Sequence, residues 1–148
     1  MEDDSVILVM RCFAFNTERL ILSVQRASTD NHNPGLWEVP GGKAEKGQDF
    51  YEELKREVEE ETGFVIRIID NETHSQSKLV GPGSRHSGKT HVVTFVVAEI
   101  IGGELKLSHE HDDLRMCSYE DFMELDLTQE SKIAAIALKD RLVEMVVS

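Results

Sequence analysis

Apolar residues recur with two different periods along the chain. Residues 6–15, VILVMRCFAF, and residues 20–25 are dense in apolar side chains, with the polar run Asn16-Thr17-Glu18-Arg19 between them. That predicts two strands joined by a turn. Residues 30–35 read as a loop by their Asn, Pro and Gly content. Beyond Pro40-Gly41-Gly42 the period lengthens to that of a helix over 48–62, with Phe50, Leu54 and Val58 on its core side and Gly63 as its stop. Residues 64–69 and 91–101 return to β-branched, strand-like character, and Gly102-Gly103 ends the second of these strands. Gly81, Pro82, Gly83 and Gly88 predict a loop over 81–88, and 114–118 predicts another short strand. A short helix follows at 119–125. A capping box at Asp126-Leu127-Thr128-Gln129 then opens a last helix running through Ile133, Ile136, Leu138, Leu142 and Met145. Hairpin joints mixed with crossovers predict an α/β fold with a mixed β-sheet packed between helices.

Length and composition bound this picture. At 148 residues and 40% hydrophobic, the chain is expected to form a single domain over 1–148 with a substantial core. Its longest apolar run, near 92–101, is interrupted by Thr94 and Glu99 and is too short to span a bilayer. The acidic start, MEDDSVILVM, argues against a secretory signal. Cys12 and Cys117 form no C-x-x-C pair and read as reduced thiols, so a cytoplasmic location is expected. A net charge of −12 repels nucleic-acid polymers and anionic membranes. A phosphate ester would need positive ions to screen these acids.

GSRHSGKT, residues 83–90, fits the spacing of a phosphate-wrapping P-loop. Such a loop needs a helix after its lysine, whose N-terminal amides complete the cradle. Here HVVTFVVAEI follows, which is a strand, so the P-loop reading fails. Arg85, His86 and Lys89 remain as a basic loop, either a solvated hairpin tip or a contact for an anionic substrate end.

The helix over 48–62 is rich in carboxylates, and its wheel sorts them. With Glu57 at zero, Glu60 falls at roughly −60° and Glu61 at roughly +40°, both bordering the Leu54–Val58 side, while Glu52 and Glu59 lie opposite. Like charges gathered near a core repel and are destabilising unless cations neutralise them. Mg²⁺ or Mn²⁺ would do so with oxygen ligands; ion pairs with nearby Lys and Arg are the alternative.

The segment GGKAEKGQDFYEELKREVEEETGF, with its lead-in LWEVPGG, resembles the Nudix box of hydrolases acting on nucleoside diphosphate-linked substrates. Gly42 opens the pattern, Arg56-Glu57-Val58 and Glu60-Glu61 fill its second half, and Gly63-Phe64 close it. One position departs: Gln48 stands where the family has a glutamate that supports the arginine of the box, and Glu45 is a candidate substitute. The resemblance implies an α/β/α sandwich, with the Gly41 carbonyl and Glu57, Glu60 and Glu61 holding Mg²⁺ or Mn²⁺ and Arg56 orienting Glu57. It also implies a further acid from the loop SHEHDDLRMCS, where Glu110 is favoured over Asp112 and Asp113, so the general base is Glu57 or Glu110. His109 and His111 form an H-x-H pair with no third nitrogen or sulfur ligand nearby, which disfavours zinc. Arg26 is a candidate phosphate contact or a solvent-facing residue, and Trp37 a core residue or one wall of a base pocket. The expected substrate is a small nucleotide, foremost a nucleoside triphosphate, oxidised or not, cleaved to monophosphate and pyrophosphate. ADP-ribose or nucleotide-sugar hydrolysis and a non-catalytic nucleotide sensor remain alternatives. Dimers are common in the family, so a homodimer stays open.

Overall fold

The computed structural model describes residues 6–29, 33–45, 47–69, 72–83, 86–108 and 111–147. Its strands are β1 (Val6–Phe15), β2 (Ile21–Arg26), β3 (Trp37–Glu38), β4 (Gly41–Lys43), β5 (Phe64–Ile68), β6 (His74–Leu79), β7 (Thr90–Gly103) and β8 (His111–Cys117). Its helices are α1 (Phe50–Thr62), α2 (Tyr119–Glu124), α3 (Gln129–Ala137) and α4 (Lys139–Val147). Among the described residues these strands form one mixed sheet with the path β3-β2-β1-β7-β5; β4 joins β1, β6 joins β7 and β8 joins β2. The centre is the parallel pair β1/β7, in register from Val6↔Thr90 to Phe15↔Glu99.

Strand alternation gives each face of the sheet its own core. Phe13 and Phe15 of β1 and Val93, Phe95 and Val97 of β7 pack with Phe122, Ala134, Ala135, Leu138 and Leu142 of the C-terminal helices. Met10, Cys12 and Ala14, with Val96 and Ala98, pack on the other face against Leu54 and Val58 of α1. The expected sandwich of helices around a mixed sheet is the observed architecture.

Three local expectations need correction, and one strand was not anticipated. Phe50 is exposed, because the first turn of α1 is open to solvent and its buried stripe begins at Leu54. The polar segment HSQSKL, to which the sequence assigned no element, is strand β6, which hydrogen-bonds to β7 while leaving alternate side chains in solvent. Strand β7 runs through Gly102-Gly103 instead of ending before them, because Gly103 still pairs with Phe64. The last helix is divided at Leu138 into α3 and α4; the cap at its start is Thr128, whose hydroxyl accepts from the Ser131 amide. The division keeps both Leu138 and Leu142 buried while Ile133 and Ile136 stay exposed.

Candidate active site

Helix α1 is fixed at both ends. The Asp49 carboxylate accepts from the amides of Tyr51 (3.0 Å) and Glu52 (3.3 Å), a side-chain N-cap. At the other end Gly63 adopts φ 83° and donates to the Glu59 carbonyl, a left-handed cap that glycine takes without strain. Residues 104–108 then run along this terminus, with Lys106 N donating to Thr62 O (2.8 Å) and Ser108 N to Glu61 O (3.1 Å). Carbonyls that a helix end leaves without intrahelical partners are thus satisfied by the following loop.

Opposite the middle of α1 lies the Gly41-Gly42 turn of β4, paired with Arg11 and Met10 of β1. A Cβ on Gly42 would lie 2.9 Å from the Glu57 carboxyl, and one on Gly41 would collide with the Met10 carbonyl. With glycine at 42 the main chain lies beside the acid, and a larger residue would have to displace the Glu57 carboxyl.

The carboxylates of α1 separate into two environments. Glu53, Glu57 and Glu61, one helical turn apart, have side chains 17%, 27% and 7% exposed. Glu60 is 58% exposed, so it belongs to the solvent face and does not border the core as expected. Arg56 reaches across these rows: Nη2 lies 2.6 Å from Glu53 and 3.2 Å from Glu57, and Nη1 lies 2.7 Å from Glu60. Hydrogen bonds to Glu53 and Glu60 raise its pKa further above an already high ordinary value. The expected Arg56–Glu57 contact is present. Arg56 pairs with Glu53, which sits one turn before it on the helix, where Glu45 was the expected candidate.

A second, buried charge cluster adjoins Glu61. Glu38 of β3 is enclosed by Arg26 Nη1 at 3.1 Å, Arg11 Nη2 at 3.4 Å and His111 Nε2 at 3.6 Å. His111 Nε2 also lies 3.7 Å from Glu61 Oε1. Burial alone would raise the Glu38 pKa, but Arg11, His111 and Arg26 together outweigh it and bring the carboxyl down to about 2. Arg11 also donates to the Val39 carbonyl at 3.0 Å. Glu53 and Arg11 carried no signal beyond charge in a helix or strand, and a charged residue ordinarily reads as solvent-facing; Glu38 stood out only as part of LWEVPGG and His111 only as half of an H-x-H pair.

The other expected residues are placed as follows. Arg26 is committed to Glu38. Trp37 is 6% exposed, with the Arg115 guanidinium 4.8 Å above its ring, a core environment capped by a cation–π contact. Glu110 and His109 lie outside the described residues, as does Arg85. Lys89 joins the β6/β7 hairpin, where its carbonyl accepts from Val80 N at 2.8 Å, and no helix follows it. A cavity of about 210 Å³ lies between β6, β7 and α3, lined by Gln76, Lys78, His91, Gln129, Glu130 and Ile133 among others. Burial, with Lys78 and Arg11, lowers the His91 pKa against the pull of Glu130.

The residues at the Gly41-Gly42 turn fit a hard divalent cation in donor type, because carboxylate and carbonyl oxygens are what Mg²⁺ and Mn²⁺ select. The space that a Gly42 Cβ would fill leaves the turn's main chain beside the Glu57 carboxyl. Among the described residues, no three His, Cys, Asp or Glu side chains are already arranged to hold a metal ion. No helix among them is long and apolar enough to cross a membrane.

The chain is similar to several known proteins. Over 109 residues it is 32% identical to 8-oxo-dGDP phosphatase NUDT18 of Danio rerio, covering 74% of this chain and 30% of that one. It is 31% identical to the ADP-ribose pyrophosphatase of Methanocaldococcus jannaschii, covering 71% and 56%, and 30% identical to the CTP pyrophosphohydrolase of Escherichia coli, covering 74% and 73%. The chain therefore spans only about a third to a half of the first two relatives. The crystal structure of the MutT protein from Methanosarcina mazei superposes over the whole of both chains with TM-score 0.72 at 19% identity, a likeness of fold. The family model of the NUDIX domain matches residues 6–138, from the first residue of β1 to the end of α3, and on that match this chain belongs to the Nudix family.

Proposed function

We propose that this protein is a divalent-metal-dependent pyrophosphohydrolase of small nucleotides, cleaving a nucleoside triphosphate to monophosphate and pyrophosphate. The observation that carries the reading is the Glu57 carboxyl set against the Gly41-Gly42 main chain, with Glu61 one turn further along the same row. Glu57, Glu61 and the Gly41 carbonyl would hold Mg²⁺ or Mn²⁺, with Glu60 recruited from the solvent side. The cation supplies neutralisation of the phosphate oxygens and acidifies water for attack on phosphorus. Glu57, or Glu110, which precedes β8 in the sequence, accepts the proton of the attacking water. Arg56 orients Glu57.

The cavity beside α3 supports a nucleotide. At about 210 Å³ it is smaller than the ~300–1,000 Å³ of whole-ligand pockets and suits one heterocyclic base, leaving sugar and phosphates outside. Its walls offer two amides, a carboxylate and an imidazole whose pKa burial lowers, a donor and acceptor set for base edges. The relatives' names support hydrolysis of nucleotides without agreeing on one substrate.

A substrate panel tests the proposal: nucleoside triphosphates and diphosphates, plain and oxidised, with ADP-ribose, each with Mg²⁺ and Mn²⁺. The expected result is fastest release of monophosphate and pyrophosphate from a triphosphate, abolished by chelator. Preferred turnover of ADP-ribose would move the assignment to that class, and tight binding without turnover would make the chain a sensor.

A further inference from the structure

Ionised side chains avoid full burial unless they are paired. Glu38, His111 and Glu61, with side chains 2%, 4% and 7% exposed, form a buried cluster of which the hydrolysis described above gives a task to Glu61 alone. His111 stands between the two acids, its Nε2 3.6 Å from one and 3.7 Å from the other. Behind it, Arg11 and Arg26 fix the Glu38 carboxylate from two sides. On the other ring edge, Nδ1 faces the Ser108 hydroxyl at 3.5 Å, and the Ser108 amide donates to the Glu61 carbonyl. Main chain and side chain of Glu61 are therefore approached from Ser108 and from His111, the first residue of β8, respectively.

We propose that Glu38 and His111 are positioning residues for the acidic site, with Glu38 fixing the ring of His111 and His111 fixing the carboxylate of Glu61. The inference rests on Glu61 being a cation ligand. A ligand carboxylate that swings freely loses conformational entropy each time an ion binds, whereas one held beforehand does not. The glutamate of LWEVPGG thereby acts on the acidic helix from a different strand, through a histidine that sequence order places more than seventy residues later.

Titration of the full chain with Mn²⁺, followed by the electron paramagnetic resonance of the free ion, tests this without measuring turnover. His111→Ala should weaken Mn²⁺ binding by ~10–100-fold, and His111→Gln, which keeps a side-chain N–H, should recover most of it. In a Glu61→Gln background the same His111→Ala change should add less than about twofold, because both act through one carboxylate. Unchanged affinity in His111→Ala, or a full additional loss on top of Glu61→Gln, overturns the proposal. If circular dichroism shows His111→Ala unfolded, Ser108→Ala decides: several-fold weaker binding supports the proposal and wild-type affinity overturns it. Absence of Mn²⁺ binding by the wild-type chain, with or without nucleotide, is a distinct result that removes the metal reading itself.

Discussion

Two glycine-containing turns carry sequence patterns suggestive of phosphate chemistry, and their surroundings differ in kind. At Gly41 a methyl group would run into the main chain of β1, and at Gly42 it would meet the Glu57 carboxyl, so the pair is packed between β1 and the acidic helix. At Gly83 and Gly88 nothing lies within 4 Å of where a Cβ would sit; their positive φ values of 94° and 84° serve a hairpin turn. Beneath the first turn lies a buried, charge-balanced base of Glu38 and its partners, whereas the second joins two strands. A motif acquires chemistry from what packs against it.

The strongest way to break this contrast is at Glu57. Glu57→Gln should lower kcat by ~10²–10⁴-fold while far-UV circular dichroism stays unchanged, and a variant retaining half its activity would remove Glu57 from the centre. Next comes Gly42→Ala, whose new methyl must push the Glu57 carboxyl aside. We expect about 10²-fold lower kcat/KM with little change in Tm. A fully active Gly42→Ala enzyme would mean that this close approach has no part in the reaction.

The base beneath the first turn makes a pH-dependent prediction. The folded-state pKa of Glu38 is depressed from 4.5 to about 2, so its contribution to stability is complete above its unfolded value and disappears as pH falls through that window. Glu38→Gln leaves two arginines without their shared carboxylate and should cost about 3 kcal/mol near neutral pH. Urea melts should show the gap between wild type and variant narrowing as pH drops from 4.5 toward 2. A gap independent of pH would contradict the ionised, paired state of Glu38. The smallest effect belongs to the second turn, where Lys89→Ala should leave metal-dependent turnover within about tenfold, unlike a true P-loop.

What could be read from sequence divides along the same lines. The extent of β1, the end of α1 at Thr62, the Gly63 stop and the failure of the P-loop all follow from local period and punctuation, and the structure bears them out, with α1 starting two residues later than expected, at Phe50. Strand β6 was hidden because an edge strand facing solvent loses the apolar alternation that marks strands, and HSQSKL is polar almost throughout. Strands β3 and β4 are two and three residues long, below the length at which any period exists. At the site, the acids of α1 were visible from helical spacing, but spacing overstated the burial of Glu60 and passed over Glu53. Arg11, Glu38 and His111 could not have been found together, because their meeting depends on the register of β1, β3 and β8 and not on any local pattern.

The parallel register of Val6–Phe15 against Thr90–Glu99 has a bearing on biogenesis. On the ribosome the first strand emerges long before its partner, and its Phe13 and Phe15 must wait for both β7 and the C-terminal helices to cover them. Distant pairings of this kind slow folding and leave an adhesive strand uncovered in the interim. Nascent chains halted ahead of Thr90 should therefore recruit chaperones or aggregate, whereas release of the finished polypeptide allows the sheet to close.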